Sequence, residues 1–184
     1  GGSDPLMNTL SGVEVQFANT DLPSKATGNR ILSNSIYGNV RLGIDLNFTN
    51  NPPGVTDNDL DPPADSDDGP NHLQNFPEIT SARRTTRLIG GHRRRVTLVR
   101  GKLNSEAAKN YRVQFFSSPT ADPTGFGEGK SFLGEEIVST NSSGEAGFTF
   151  ITRKRVPMGH AVTATATNQS SGDTSEFSHA KTVS

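Results

Sequence analysis

The chain contains no cysteine, which removes disulfides, thiolate metal sites and cysteine nucleophiles together. That absence does not fix the compartment. Tryptophan is missing as well, and without a Cys pair and a Trp an antibody-like sandwich pattern is excluded. Apolar residues are scarce: they make 30% of the 184 residues, and Leu, Ile, Val and Phe together make 40. This lies close to the roughly 20% below which chains tend not to fold. A formal net charge of −1, however, supplies none of the self-repulsion of disordered chains, and ten Phe can seed cores. The composition implies a folded but lean protein of one or two domains. No apolar run approaches the roughly 18 residues of a membrane helix, so no membrane span is expected. The opening GGSDPL lacks a signal-peptide pattern, and GGS reads as a cloning scar.

Helical signals are nearly absent. The run SEAAK at 105–109 is too short to stand alone. Elsewhere β-prone runs of four to eight residues alternate with clusters of Gly, Asn, Pro, Ser and Asp, which predicts an all-β chain. Near-neutrality also conceals a split. Residues 1–81 carry 11 acids and 3 bases, whereas residues 82–184 carry 8 acids and 15 bases. Such asymmetry points to modules with different surfaces.

Residues 12–46 hold the pieces GVEV, GNRILSNSI and VRLGIDL. They space Val13 and Val15, Ile31 and Ile36, then Leu42, Ile44 and Leu46 two or a few positions apart, with Asn or Gly at the bends. This is the pattern of short strands in a right-handed parallel β-helix. About 45 residues make at most two coils of roughly 20 to 25 residues, whereas stacked repeats need about three and a cap. A longer parent protein is therefore expected.

From Gly28 to Pro77 the chain reads GNRILSNSIYGNVRLGIDLN, then GVTDNDLDPPADSDDGPNHLQNFP. Further on come VQFFSSPTADPTGFGEGKSFLGEEIVSTNSSGEAGFTF and VTATATNQSSGDTSEFS. These stretches resemble the end of the parallel β-helix in large bacterial secreted or surface-attached repeat proteins. There a GIDL-like strand runs through an Asp-rich loop into an immunoglobulin-like sandwich with a TATAT…TSEFS tail. The resemblance covers most of the chain. It implies terminal β-helix coils in 1–50, an Asp-rich linker and cap in 51–81, and an Ig-like or fibronectin-like antiparallel β-sandwich in 82–184. It also implies secretion or a cell-surface location.

The acidic loop places Asp57, Asp59, Asp61, Asp65, Asp67 and Asp68 at positions 1, 3, 5, 9, 11 and 12 of an EF-hand-like spacing, followed by Asn71. Pro62 replaces the turn glycine and position 12 is Asp, so an EF-hand proper is not expected. Hard oxygen ligands on a Pro-stiffened loop nevertheless suit a structural Ca²⁺. The alternative is a solvated acidic linker. In the following GPNHLQNFP, Leu73, Phe76 and Pro77 are expected to plug the coil end while Asn71, Gln74 and Asn75 satisfy its backbone.

Seven arginines fall in RRTTRLIGGHRRRVTLVR, among them Arg83, Arg84, Arg87, Arg93, Arg94 and Arg95. An anionic polysaccharide, nucleic acid or lipid head groups would be attracted to them. No aromatic residues interleave, so base stacking and nucleic acid are disfavoured. The plain alternative is a solvated hairpin turning at Gly90 and Gly91 and leaning on the acidic loop. This stretch departs from the family, where a short polar linker is expected.

From residue 96 the strands are clear: VTLVRGKL, YRVQFFSS, SFLGEEIVST, AGFTFIT, AVTATATN and SEFSHAKTV. In AVTATATN, Val162, Ala164 and Ala166 share one face and the threonines the other, predicting a half-buried strand in a sandwich of six or seven strands. The loop at 117–132 is long for a hairpin, and its Asp122, Phe126 and Glu128 are candidates for ligand contact or for a folding role.

Catalytic signals are weak. Asn19-Thr20-Asp21, Asp67-Asp68 and Gly91-His92 echo pieces of a polygalacturonase signature, but the second lies on the exit loop and an RIK-like element is missing. Paired carboxylates need a fixed separation across a cleft. None of His72, His92, His160 and His179 forms a close ligand pair, and no GxSxG elbow occurs. The expectation is a non-enzymatic structural and adhesive module, with no catalytic residues, presenting loops to an extracellular polysaccharide or protein. The competing readings are a carbohydrate-active enzyme fragment or its accessory carbohydrate-binding module, and a module that self-associates through an open β-helix end.

Overall fold

Alternation and turn chemistry together determine the larger part of the molecule. β3 (Glu78–Ile89) and β4 (His92–Asn104) form a long antiparallel hairpin in which Ile89 pairs with His92. The two residues between them, Gly90 and Gly91, both take positive φ, 56° and 78°. This is the mirror-image turn that matches strand twist and that glycine adopts without strain. β5 (Asn110–Ser118), β6 (Ser131–Ser139), β7 (Glu145–Thr152), β8 (Ala161–Asn168) and the short β9 (Lys181–Thr182) follow. The structure is a computed structural model and describes residues 8–16, 26–47, 54–59 and 67–184. The chain is all-β among them, apart from a 3-10 turn at Pro70–Leu73.

Two antiparallel sheets share one core. The first has the order β3-β4-β7 and the second β6-β5-β8-β9. Ile79, Val99, Leu103, Phe148 and Phe150 of the first meet Tyr111, Val113, Phe115, Val138, Val162, Ala164 and Ala166 of the second. Phe115 lies at the centre, stacked on Phe150 with ring centroids 4.2 Å apart and edge-on to Phe148 at 5.4 Å. Burying apolar faces that alternate with polar ones is how a chain with so few large apolar residues still closes a core. β3 begins at Glu78, four residues before the sandwich start expected at residue 82.

Two sequence expectations are corrected. AVTATATN was expected half-buried, yet every residue of β8 is buried, its threonine face included. The cause is a second layer laid over that face. SEFSHAKTV was expected to be a strand, but Lys181–Thr182 is its strand and Ser175–Ser178 run irregularly along the edge of β8.

The second layer is N-terminal. β1 (Val13–Gln16) and β2 (Ile44–Asn47) pair in parallel, Val13 with Ile44 through Gln16 with Asn47. Asn8 and Asn39 make a parallel bridge with the same offset of 31 residues, and the Asn8 side-chain amide donates to Asn39 Oδ1 at 3.0 Å. The repeat is therefore longer than the 20 to 25 residues expected per coil. Two parallel strands do not amount to a β-helix among the described residues. Ile36, Ile44 and Leu46 form a second core with Phe116 and Phe177 of the sandwich, so the two layers are one packed body.

Candidate functional site

The seam between these layers is a dense polar assembly, and the segment Asp173–Ser178 is central to it. Ser175 and Ser178 anchor it to β8. Their hydroxyls accept from the N–H groups of Ala166 and Ala164 at 2.9 and 3.0 Å, and their own N–H groups donate to the carbonyls of the same residues at 2.9 and 2.8 Å. Glu176 and Phe177, between those anchors, reach the N-terminal layer.

Glu176 is 2% exposed and pins two strangers together. Leu46 N–H donates to Oε1 at 2.9 Å and Thr56 N–H to Oε2 at 3.0 Å. Burial pushes the Glu176 carboxyl up to about 8 against the pull of those two donors, and the neighbouring carboxylates of Asp45 and Asp57 add to the rise. Phe177 fills the space behind it, edge-on to Phe116 at 5.4 Å.

The rest of the seam repeats the same device. An irregular segment with no ladder partner docks on a neighbouring layer when its backbone N–H groups find acceptors there. Here the sandwich and the 70–73 turn supply them. Gly28 N–H donates to Asp173 Oδ1 at 2.6 Å, Asn29 N–H to Asn71 Oδ1 at 2.9 Å, and Ile31 N–H to Thr174 Oγ1 at 3.0 Å. Ser33 N–H donates to Gln114 Oε1 at 2.8 Å. Ile36 and Gly129 exchange backbone hydrogen bonds at 3.0 and 2.8 Å. Glu128 accepts from Gly38 N–H at 2.7 Å, and from Asn39 N–H and the Asn39 amide at 2.8 Å each. At Asp173 burial works to raise the carboxyl, but Ser171, the Gly28 N–H and His72 outweigh it and hold it below its ordinary value. His72 Nδ1 lies 2.9 Å from Asp173 Oδ2.

Sequence reasoning named some of these residues for other work. Asn71, placed with the acidic ligands, is fully buried and takes a positive φ of 47°. Its amide donates to the carbonyls of Asn29 and Thr174, both at 2.9 Å, while its oxygen accepts from Asn29. Glu128, a candidate for ligand contact, clamps Gly38 and Asn39 instead. Phe126 stacks against His179, with centroids 3.7 Å apart, and meets Phe76 edge-on at 5.6 Å. Asp122 accepts from the N–H and hydroxyl of Thr124, closing its own turn. Asp122 and Glu128 also line a cavity of about 330 Å³ with Tyr37, Asn39 and Lys130.

Of the acidic loop, Asp61 and Asp65 lie outside the described residues, as do Asn19, Thr20 and Asp21. Asp59 Oδ1 accepts from the Asn75 amide at 2.7 Å. Burial raises the Asp67 carboxyl, and Asp59 and Asp68 add to the rise, so these three are close enough to repel. Asp57 faces Glu176 electrostatically. Among the described residues no group of three or more His, Asp or Glu is arranged to hold a metal ion. The acidic loop and the arginines share no ion pair among the described residues. His92, half of the GH pair, is exposed beside the turn of the β3–β4 hairpin.

Sequence reasoning missed Asp45 and Glu176 as site residues. Asp45 is 1% exposed: Ser11 Oγ donates to its Oδ2 at 2.9 Å, while its Oδ1 has no partner. Burial raises its carboxyl, opposed by Ser11. An acid set between Ile44 and Leu46 in GIDL is the pattern that marks Asp45, whereas Glu176, in the polar run TSEFS, carries no such signal. No helix among the described residues is long and apolar enough to cross a membrane. No family model matches the chain, and no curated protein matches it.

Proposed function

We propose that this chain is a non-enzymatic structural module of a bacterial secreted or cell-surface protein, in which an Ig-like or fibronectin-like sandwich caps the last coils of a right-handed parallel β-helix. The observation that carries this reading is the seam. Backbone N–H groups of residues 28, 29, 31, 33, 36, 38, 39, 46 and 56 each meet an acceptor on the sandwich or on Asn71. A stack of coils exposes such groups at its end, and a cap must satisfy them. The equal 31-residue offsets of Val13–Ile44 and Asn8–Asn39, with the asparagines bonded side by side, support stacked coils. The outer edge of β1 has no partner strand among the described residues, which suits further coils of a longer parent. Strand order in the two sheets supports the fibronectin-like assignment.

Ca²⁺ belongs to the same proposal as a stabiliser of the 57–71 loop, supported by the mutual repulsion of Asp59, Asp67 and Asp68. Asp122 and Glu128 have intramolecular partners and also line the 330 Å³ cavity, and adhesive contact is assigned to the loops around it.

Hydrogen exchange on the intact chain tests the cap. Amides of residues 28–46 are expected to be protected, and Phe177→Ala is expected to release them while β4 and β5 stay protected. Unprotected amides in the unaltered chain, or protection indifferent to Phe177→Ala, would sink the capping role. Reducing-sugar release from pectin or alginate would replace the non-enzymatic reading with a carbohydrate-active one.

A further inference from the structure

The β3–β4 hairpin carries charge that no group among the described residues neutralises. From Thr85 and Val96 outward its strands pair only with each other among the described residues, because β7 joins β4 at Thr97 and the C-terminal Ser184 joins β3 at Arg84. Five paired positions at about 3.4 Å each make a ribbon roughly 17 Å long with both edges free. In an antiparallel pair, residues directly opposite share a face. Arg87 therefore stands opposite Arg94 on one face, and Arg93 and Arg95 stand on the other opposite Leu88 and Thr86. None of these arginines has an ion pair among the described residues. Directly opposed like charges destabilise a ribbon. No carboxylate among the described residues relieves that arrangement, and a bound polyanion would.

The tip decides which polyanion. Leu88 is 72% exposed and Ile89 half-buried, one on each face, beside a turn of two glycines around which a Cβ would meet nothing within 4 Å. Single-stranded nucleic acid would want aromatic platforms, which the ribbon lacks. A duplex groove or a linear sugar polymer makes no use of a bare Leu at the tip. An anionic bilayer surface uses both parts: arginines pair with phosphates while apolar side chains enter the boundary with the acyl chains. Arg suits this role because its planar fork meets phosphate bidentately.

We infer that the β3–β4 hairpin is a membrane-surface anchor that inserts tip first into anionic lipid head groups, Leu88 and Ile89 leading and Arg87, Arg93, Arg94 and Arg95 binding phosphate. The inference is independent of the capping proposal.

Flotation of the full chain with phosphatidylcholine vesicles, with and without phosphatidylglycerol, tests it. Binding is expected to the mixed vesicles alone and to fall steeply with salt. The triple variant Arg93→Gln, Arg94→Gln, Arg95→Gln is expected to lose roughly a hundredfold in affinity. Leu88→Ser is expected to lose roughly tenfold on vesicles while retention on heparin stays unchanged. These positions are exposed, so a melting temperature that is not lowered verifies that the variants fold. Failure to bind the anionic vesicles would overturn the inference. So would vesicle binding indifferent to Leu88→Ser, which would mark a purely electrostatic surface for anionic polysaccharide, or tighter binding to duplex DNA than to the vesicles.

Discussion

Raising the pH from about 5 to about 8 is expected to weaken this fold, chiefly through Glu176. Its carboxyl has an ordinary value of 4.5 and is pushed up to about 8 in the folded protein. Between those values the folded state holds a proton that the unfolded state has released. The stabilisation is complete below 4.5 and is lost as the pH rises through the folded value, at about 1.4 kcal/mol per unit. Across the window the loss comes to about 3–5 kcal/mol, or roughly 10 °C in melting temperature for a chain of this size. Asp45 and Asp67, also raised, lose stability in the same direction starting from their ordinary 3.8. Asp173 works the other way. Its depressed carboxyl contributes above 3.8 and loses that contribution as the pH falls further, which gives a separate acid limb. Glu176→Gln cannot titrate, so it should flatten the slope between about 5 and 8. It should also cost about 1–3 kcal/mol at the acid end, because its NH2 must face one of the two N–H groups of Leu46 and Thr56. Calorimetric melts at stepped pH are the assay. A melting temperature that holds or rises from about 5 to 8, or a Glu176→Gln variant with the unaltered slope, refutes the reasoning.

Four further outcomes are expected. Gly129→Ala would set a Cβ 2.7 Å from Phe116 and Phe177, and urea melts should show a loss of about 1–3 kcal/mol. Phe115→Ala empties the stacked centre between Phe148 and Phe150 and should cost about 3–5 kcal/mol by the same measurement. Asn71→Asp keeps the shape but removes both donors from the carbonyls of Asn29 and Thr174, for a loss of about 2–4 kcal/mol and faster amide exchange at Gly28 to Ile31. Millimolar Ca²⁺ should raise the melting temperature by a few degrees and EDTA should reverse it; identical melts in both would remove calcium from the proposal.

Much of the sandwich could be read from residue order alone, because alternation with a period of two and glycine-rich turns are local signals. The strands containing Tyr111, Val113 and Phe115, then Phe148 and Phe150, lie where that alternation puts them. The β3–β4 hairpin was readable from Gly90-Gly91 for the same reason. What was not readable is every feature that depends on two distant segments. The threonines of β8 look like a solvent face until Asp173–Ser178 and the N-terminal layer cover them. Asn71 and Glu128 each allow two readings from residue order, ligand or fold, and the backbone partners that give them a fold role lie 42 and about 90 residues away. Glu176 looks like an exposed acid in a polar tail, since nothing within ten residues announces the N–H groups of Leu46 and Thr56.

That failure has a physical pattern. Each of these residues is a polar side chain that meets backbone of a distant segment, in Asn71 and Glu128 with a side-chain partner besides. Outside the short β1–β2 ladder the N-terminal layer is irregular, so most of its N–H groups are met from outside, one by one, by Asp, Glu, Asn, Gln or Thr. Such residues carry the same letters as a metal loop or a binding loop. What separates the two is burial: a carboxylate that stays wet can bind a ligand, whereas Glu176 at 2% exposure already holds two donors and a raised affinity for its proton. By the same measure the arginines of the hairpin fall on the other side. They are long, exposed and unpaired among the described residues, and the fold gains nothing from setting Arg87 opposite Arg94. The seam acids Glu128, Asp173 and Glu176 come from the basic half and are consumed in meeting backbone N–H groups of the N-terminal layer, while the arginines of that same half present their charge outward, where a partner can neutralise it.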